Sequence, residues 1–190
     1  MPAPLLSKDE VIGRLMRVFR TFGYSGATLA RISEATGLGK ASLYHHFPGG
    51  KEDMARATLD RVESTVRTFV VDELRKPGAP ADRLARMLAN LDELYCGGRE
   101  RCILGNLTMS EAREQFQAQL KHVFRLWIDA LTELAREAGV PERDAAERAE
   151  QAVLEIQGAL ILSAALQTRQ PFRRIVESLP KKLLGAKASA

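Results

Sequence analysis

Apolar residues recur along this chain every three to four positions and almost never every two, which is the pattern of amphipathic helices and leaves no room for strands. Ser7 followed three residues later by Glu10 makes a capping box. Val11, Ile12, Leu15, Met16, Phe19 and Phe22 then form one stripe ending at Gly23, predicting a helix over 8–22. Thr28 can cap a short helix with Leu29, Ile32 and Ala35 inward, stopped by Gly37 just past Thr36. Leu38 and Gly39 make a turn. A third helix over about 40–47 has Leu43 and Phe47 on one face by their i, i+4 spacing, until "PGG" at 48–50 ends it. A long helix over 51–75 has Met54, Ala55, Leu59, Val62, Val66, Phe69 and Leu74 inward, and "KPGAP" at 76–80 breaks it. Further helices are expected over about 81–95, 104–136 with a break near 109–113, 142–168 and 171–184. The fold class is all-α, with about nine helices.

Composition narrows the setting. No apolar run reaches the roughly 18 residues that span a bilayer, and charges at Lys8, Asp9 and Glu10 precede any signal-like core, so a cytoplasmic protein with no membrane partner is expected. The closing "GAKASA" reads as frayed. Cys96 and Cys102 are too few for a disulfide framework and lack metal-binding spacing. The net charge of +4 is uneven: residues 1–56 carry eight Lys or Arg against five Asp or Glu, 57–168 fourteen against eighteen, and 169–190 six against one. A small basic surplus on an amino-terminal module suits a phosphate-backbone partner.

Chemistry concentrates in "GLGKASLYHHF" at 37–47. A phosphate loop of the Walker type needs a glycine where Glu34 or His45 stands, and a dinucleotide loop needs one at Ser42 after a strand. Adjacent His45 and His46 diverge by about 100 degrees on a helix and have no third ligand close by, so no metal is expected. Neither G-x-S-x-G nor H-E-x-x-H occurs, no cofactor is called for, and the chain does not read as an enzyme. A short helix, a glycine-containing turn and a second short helix braced by a preceding one make a helix-turn-helix, whose second helix lies in the major groove. Leu43 and Phe47 anchor that helix, and the outward set offers a cation, small residues for close approach, hydroxyls and imidazoles.

The stretch "TLARISEATGLGKASLYHHFPGGKEDM", residues 28–54, resembles the DNA-binding signature of the TetR/AcrR family of one-component repressors. "LGNL" after Cys102 and the "FPGGKE" turn are similar to the LmrA/YxaF-like branch of multidrug-responsive repressors. The resemblance implies a helix-turn-helix DNA-binding domain at 1–50 and a larger ligand-binding and dimerisation domain at 51–190. It implies DNA contacts at Thr28, Gly39, Lys40, Ala41, Ser42, Tyr44, His45 and Lys51, with Thr28, Tyr44 and Lys51 on phosphates. Three features depart from the family pattern: Gly39 stands where serine is common, Ser33 where alanine is usual, and the turn before Lys51 is one residue longer.

The resemblance also implies that a homodimer, formed through the last two long helices, binds double-stranded operator DNA and is released by a small-molecule inducer. Leu91, Tyr95, Asn106, Phe116, Phe124, Trp127 and Gln157 mix bulky rings and polar groups in apolar sequence, as ligand pockets do. Ala159 and Leu162 in "QGALILSAAL", with Phe172, Ile175, Val176 and Leu179 on the last helix, make faces that need a partner, the chain's own core or a second subunit, and the resemblance implies the dimer interface. The function read here is a ligand-responsive transcriptional regulator, a repressor released from a palindromic operator by a small, largely apolar inducer. Two rivals stand beside it: an all-α small-molecule sensor that no longer reads DNA, and an all-α enzyme using the apolar core.

Overall fold

A computed structural model describes residues 6–185, and its regular structure there is helical throughout. Nine helices follow one another among the described residues: α1 (Lys8–Gly26), α2 (Leu29–Thr36), α3 (Lys40–His46), α4, α5 (Pro80–Leu94), α6 (Ile103–Thr108), α7 (Arg113–Glu137), α8 (Glu142–Ala165) and α9 (Gln170–Leu184). α4 runs in three stretches, α-helical over Lys51–Val66, π-helical over Arg67–Asp72 and α-helical again over Glu73–Arg75. The "GAKASA" tail expected to fray lies, from Ala186 on, outside the described residues. Among the described residues, no helix is long and apolar enough to cross a membrane, and no group of His, Cys, Asp or Glu could hold a metal ion.

Packing divides the chain into two compact units. The first holds the residues up to Glu63 together with Ile103–Leu120, the second Ser64–Cys102 together with the residues from Lys121 on.

In the first unit the expected capping box forms. Ser7 Oγ accepts from the Glu10 N–H, and the Glu10 carboxylate accepts from the Ser7 N–H, which holds that carboxyl below its ordinary range. Val11, Leu15, Val18 and Phe19 of α1 are buried. The helix does not end at residue 22. Gly23 takes φ 66 and ψ −172, which only glycine adopts freely, and helix resumes through Tyr24–Gly26. That kink puts the Tyr24 ring between Phe19 and Phe116, with centroids 6.3 and 5.5 Å away. Phe22, expected inward, is consequently left 45% exposed, its ring covered by the Arg31 guanidinium 4.3 Å from the centroid. α6 packs along α1, and Asn106 donates to the Arg20 carbonyl at 2.8 Å. Ser25 donates to Glu111, and Arg56 to the Gln115 carbonyl.

The second unit is built on α8 and α9, which pack along each other, and Ala145, Ala149, Ala152, Ile156 and Leu160 of the one and Phe172, Leu179 and Leu183 of the other are buried. The Phe172 ring meets the Tyr95 ring edge-on at 6.0 Å. Gly98 abuts Phe172 so closely that a Cβ would sit 2.5 Å from it. The π-helical stretch overturns one expected core position. A π-turn takes in an extra residue, so the inward face passes to Val70 and Val71 while Phe69 is 36% exposed. Asn90 of α5 donates to the Phe69 carbonyl at 3.3 Å.

Candidate nucleic-acid interface

Thr28 caps α2, its Oγ1 accepting from the Arg31 N–H at 3.3 Å, and Ile32 is fully buried beneath. At the other end Gly37 takes the left-handed conformation at φ 71, and its N–H bonds the Ser33 carbonyl at 2.8 Å. The chain turns through Leu38 and enters α3 at Gly39, which caps without a side chain. Seven residues give α3 barely two turns, too few to persist alone, so its stability comes from burying Leu43 (1% exposed) and Phe47 (2%).

That burial decides which way the rest points. Gly39, Lys40, Ala41, Ser42, Tyr44 and His45 are all exposed, and so is Thr28 in the same unit. Lys40 Nζ lies 6.0 Å from the centre of the Tyr44 ring, and the edge of that ring rests on Gly50, where a Cβ would stand 3.3 Å away. Tyr44 is thus steered by Gly50 while 39% of it stays open to solvent. Lys51 is placed differently. It is half-buried, its ammonium donates to the Tyr24 carbonyl at 3.2 Å, and it sits 4.3 Å from the centre of the Tyr24 ring. Burial, followed by the Glu52 and Glu111 charges, pushes the Tyr24 phenol above its ordinary pKa.

Three residues of this region escaped the sequence reading. Arg14 of α1 donates to the Thr36 carbonyl at 3.0 Å, Arg31 donates to the Gly26 carbonyl at 2.8 Å while lying over Phe22, and Tyr24 holds Lys51. Arg31 left a signal, since it stands three residues after the N-cap where a cation joins the exposed end of α2. Arg14 and Tyr24 left none, because Arg14 bonds a backbone carbonyl and Tyr24 accepts from Lys51 through its own, and side-chain spacing reports neither.

The residues expected to line a ligand pocket fall into two groups. Asn106 and Phe116 belong to the first unit, one bonded to Arg20 and the other packed on Tyr24 and Arg56. Leu91, Tyr95, Phe124, Trp127 and Gln157 belong to the second. There Leu91, Tyr95 and Trp127 are buried and Phe124 is half-buried. Tyr95 donates to the buried Cys102 sulfur at 3.5 Å, while Cys96 is exposed, and both thiols are free. The indole Nε1 of Trp127 and the amide Nε2 of Gln157 are buried with no hydrogen-bond partner among the described residues.

Of the residues expected on a face shared by two copies, Phe172 and Leu179 are buried in their own unit, Phe172 against Tyr95 and Gly98. Ala159 is also nearly buried, Ile175 and Val176 are half-buried, and Leu162 is 52% exposed. Leu154 and Ile161 on the same helix and Leu166 at its C-cap, not singled out from the sequence, are about as exposed as Leu162.

An exposed, close-approach helix held in a helix-turn-helix and carried with a larger all-helical part is the architecture of a DNA-binding transcriptional regulator. Residues 80–178 match the family of transcriptional regulators described as LmrA/YxaF-like, C-terminal domain, and residues 12–58 match the bacterial regulatory proteins of the tetR family. The chain belongs to the TetR family of transcriptional regulators, in its LmrA/YxaF-like branch. It is 25% identical over 181 residues to the HTH-type transcriptional regulator LmrA of Bacillus subtilis, covering 93% of this chain and 96% of that one. It is 39% identical over 70 residues to the HTH-type transcriptional repressor AcnR of Corynebacterium glutamicum, 37% of this chain and 36% of that one. The regulatory protein TetR from Rhodobacter sphaeroides shares its fold, with a TM-score of 0.82 at 22% identity over 94% of this chain and 99% of that one. These are regulators and not enzymes.

Proposed function

We propose that the protein is a dimeric, cytoplasmic repressor that holds a palindromic operator through α3 and releases it when a small, largely apolar inducer enters the second unit. The observation that carries the DNA half is the outward array Gly39, Lys40, Ala41, Ser42, Tyr44 and His45, with Leu43 and Phe47 fixing the helix from behind. Gly39 and Ala41 let the backbone approach base edges, Lys40 and His45 read them, and Tyr44, Thr28 and Lys51 take phosphates. For Lys51 this means leaving or sharing the Tyr24 carbonyl, which its three donors allow. In functional terms residues 1–50 read DNA, and residues 51–190 bind the inducer and a second copy.

Support for the inducer comes from Trp127 and Gln157. Two buried N–H groups without acceptors each cost about 1–3 kcal/mol, a cost that an inducer with oxygen acceptors would relieve. Inducer binding favours a conformer in which the two recognition helices no longer match half-sites about 34–36 Å apart or a multiple of that. Salt-titrated binding to the duplex that the protein enriches from a random pool tests the DNA half. Tyr44→Phe is expected to weaken binding two- to tenfold on every sequence, and Lys51→Ala to lower the salt slope by about 1. Lys40→Ala and His45→Ala are expected to change the preferred sequence. Wild-type affinity and slope in both the Tyr44 and Lys51 variants would remove the phosphate assignments.

A further inference from the structure

Leu38 stands between two glycines, Gly37 and Gly39, at the turn that aims α3. A peptide flanked by glycines has more backbone freedom than any other, and α3 has no side-chain cap to limit it. Two hydroxyls of α2 do so instead. Ser33 Oγ donates to the Leu38 carbonyl at 2.5 Å. Thr36 Oγ1, fully buried, donates to the Ile32 carbonyl at 2.7 Å and accepts from the Leu38 N–H at 3.3 Å. Leu38 is therefore held at both its polar backbone groups. Behind it, Arg14 of α1 bonds the Thr36 carbonyl at 3.0 Å, which ties the same turn to the bracing helix.

Gly39 itself is not required by its conformation or its surroundings. Its φ of −69 and ψ of 162 suit any residue, and a Cβ there would meet nothing within 4 Å. The stiffness that a capping side chain at 39 could have supplied is absent from the turn and is present in Ser33.

We propose that Ser33 is the positioning residue of the recognition helix, its hydroxyl fixing the Leu38 carbonyl so that a glycine can stand at the DNA-facing start of α3 without loosening its aim. The proposal rests on α3 being the reading helix, and the test separates the two. Binding is measured on the full chain, against the duplex enriched from a random pool by the wild type and against random duplex, at several salt concentrations. Losing a hydrogen bond of ordinary strength, S33A is expected to lower affinity for the enriched duplex about fivefold. The ratio of enriched to random binding falls with it, while the salt slope stays constant because no phosphate contact is lost. G39S is measured alone and with S33A, and the double variant is expected to recover at least half of the logarithmic loss. In the DNA-free protein, amide exchange at residues 39–43 is expected to quicken in S33A and slow again in the double variant.

A wild-type binding ratio and exchange rate in S33A would overturn the proposal. So would losses that G39S leaves unrelieved in both measurements. If the wild type itself does not distinguish the enriched duplex from random DNA, it is the reading of α3 that fails, and the exchange measurement alone then decides the role of Ser33.

Discussion

Gln157 buries an amide donor that nothing among the described residues of its unit accepts from, an arrangement that stability alone does not favour. Methionine matches the side chain in length and carries no donor to desolvate. Gln157→Met is therefore expected to stabilise the folded chain by about 1 kcal/mol, a rise in melting temperature of roughly 2–4 °C at this chain length. Thermal unfolding by circular dichroism measures it, and a lower melting temperature would show that the amide has a partner in the folded protein. The expected trade is stability gained for inducer response lost, as at sites kept polar for a ligand. The outward residues of α3 were legible because Leu43 and Phe47, four apart, turn Lys40, Ala41, Ser42, Tyr44 and His45 away from the core. Phe22 was misjudged for a reason that spacing cannot carry. A glycine conformation one residue later put Tyr24 over the core in its place.

Glu73 shows how one element is fastened to the next. It stands in the last turn of α4, nearly buried, and accepts from Lys76 beyond the helix end at 2.5 Å and from Arg86 of α5 at 2.6 Å. Those two hydrogen bonds hold its carboxyl below the ordinary range. A depressed carboxyl contributes stability above its unfolded value of about 4.3, and that stability is lost as pH falls through the folded value. Because Lys76 and Arg86 are half open to water, Glu73→Gln is expected to cost only about 1 kcal/mol at pH 7. The gap between wild type and variant is expected to close as pH drops below about 4. Unfolding titrations at pH 7 and pH 3.5 check this, and a gap that stays constant across that range would show that the ion pairs contribute nothing. At this scale the sequence patterns located all nine helices of the described residues, including the break between α6 and α7, because glycine, proline and capping residues punctuate most of them. What they could not show is the π-helical stretch, since an extra residue in one turn leaves the apolar spacing of Val66, Phe69 and Leu74 looking like ordinary helix.

For the whole molecule, periodicity identifies buried faces but not the partner each is buried against. Residues 103–120, which the resemblance sets with the carboxyl-terminal part, pack in the unit that holds α3. The same limit set Phe172 and Leu179 on a face between two copies, although both are buried within their own unit. The residues left over carry the last prediction. Leu154, Ile161 and Leu162 fall within one side of α8, Leu166 caps its end, all four are 52–63% exposed, and Gly158 and Ala159 share a groove with Leu162 and Ile175. Fully burying a leucine or isoleucine contributes about 1.5–3 kcal/mol, so a second copy seated here would gain several kcal/mol from these four side chains. Small residues at 158 and 159 would let its helix come close. Leu162→Glu disturbs little of the core, since more than half of the residue is already in water, and helix content is expected to stay at the wild-type level. Charge at the centre of an apolar interface is instead expected to yield monomers at micromolar concentration, measured by sedimentation velocity. A monomer grips one half-site only. Its affinity for the two-half-site duplex is expected to fall by about a hundredfold or more, while binding to a single half-site is retained. A Leu162→Glu protein that still sediments as a dimer would place the interface elsewhere. A wild type that sediments as a monomer while binding the palindrome would remove the dimeric repressor altogether.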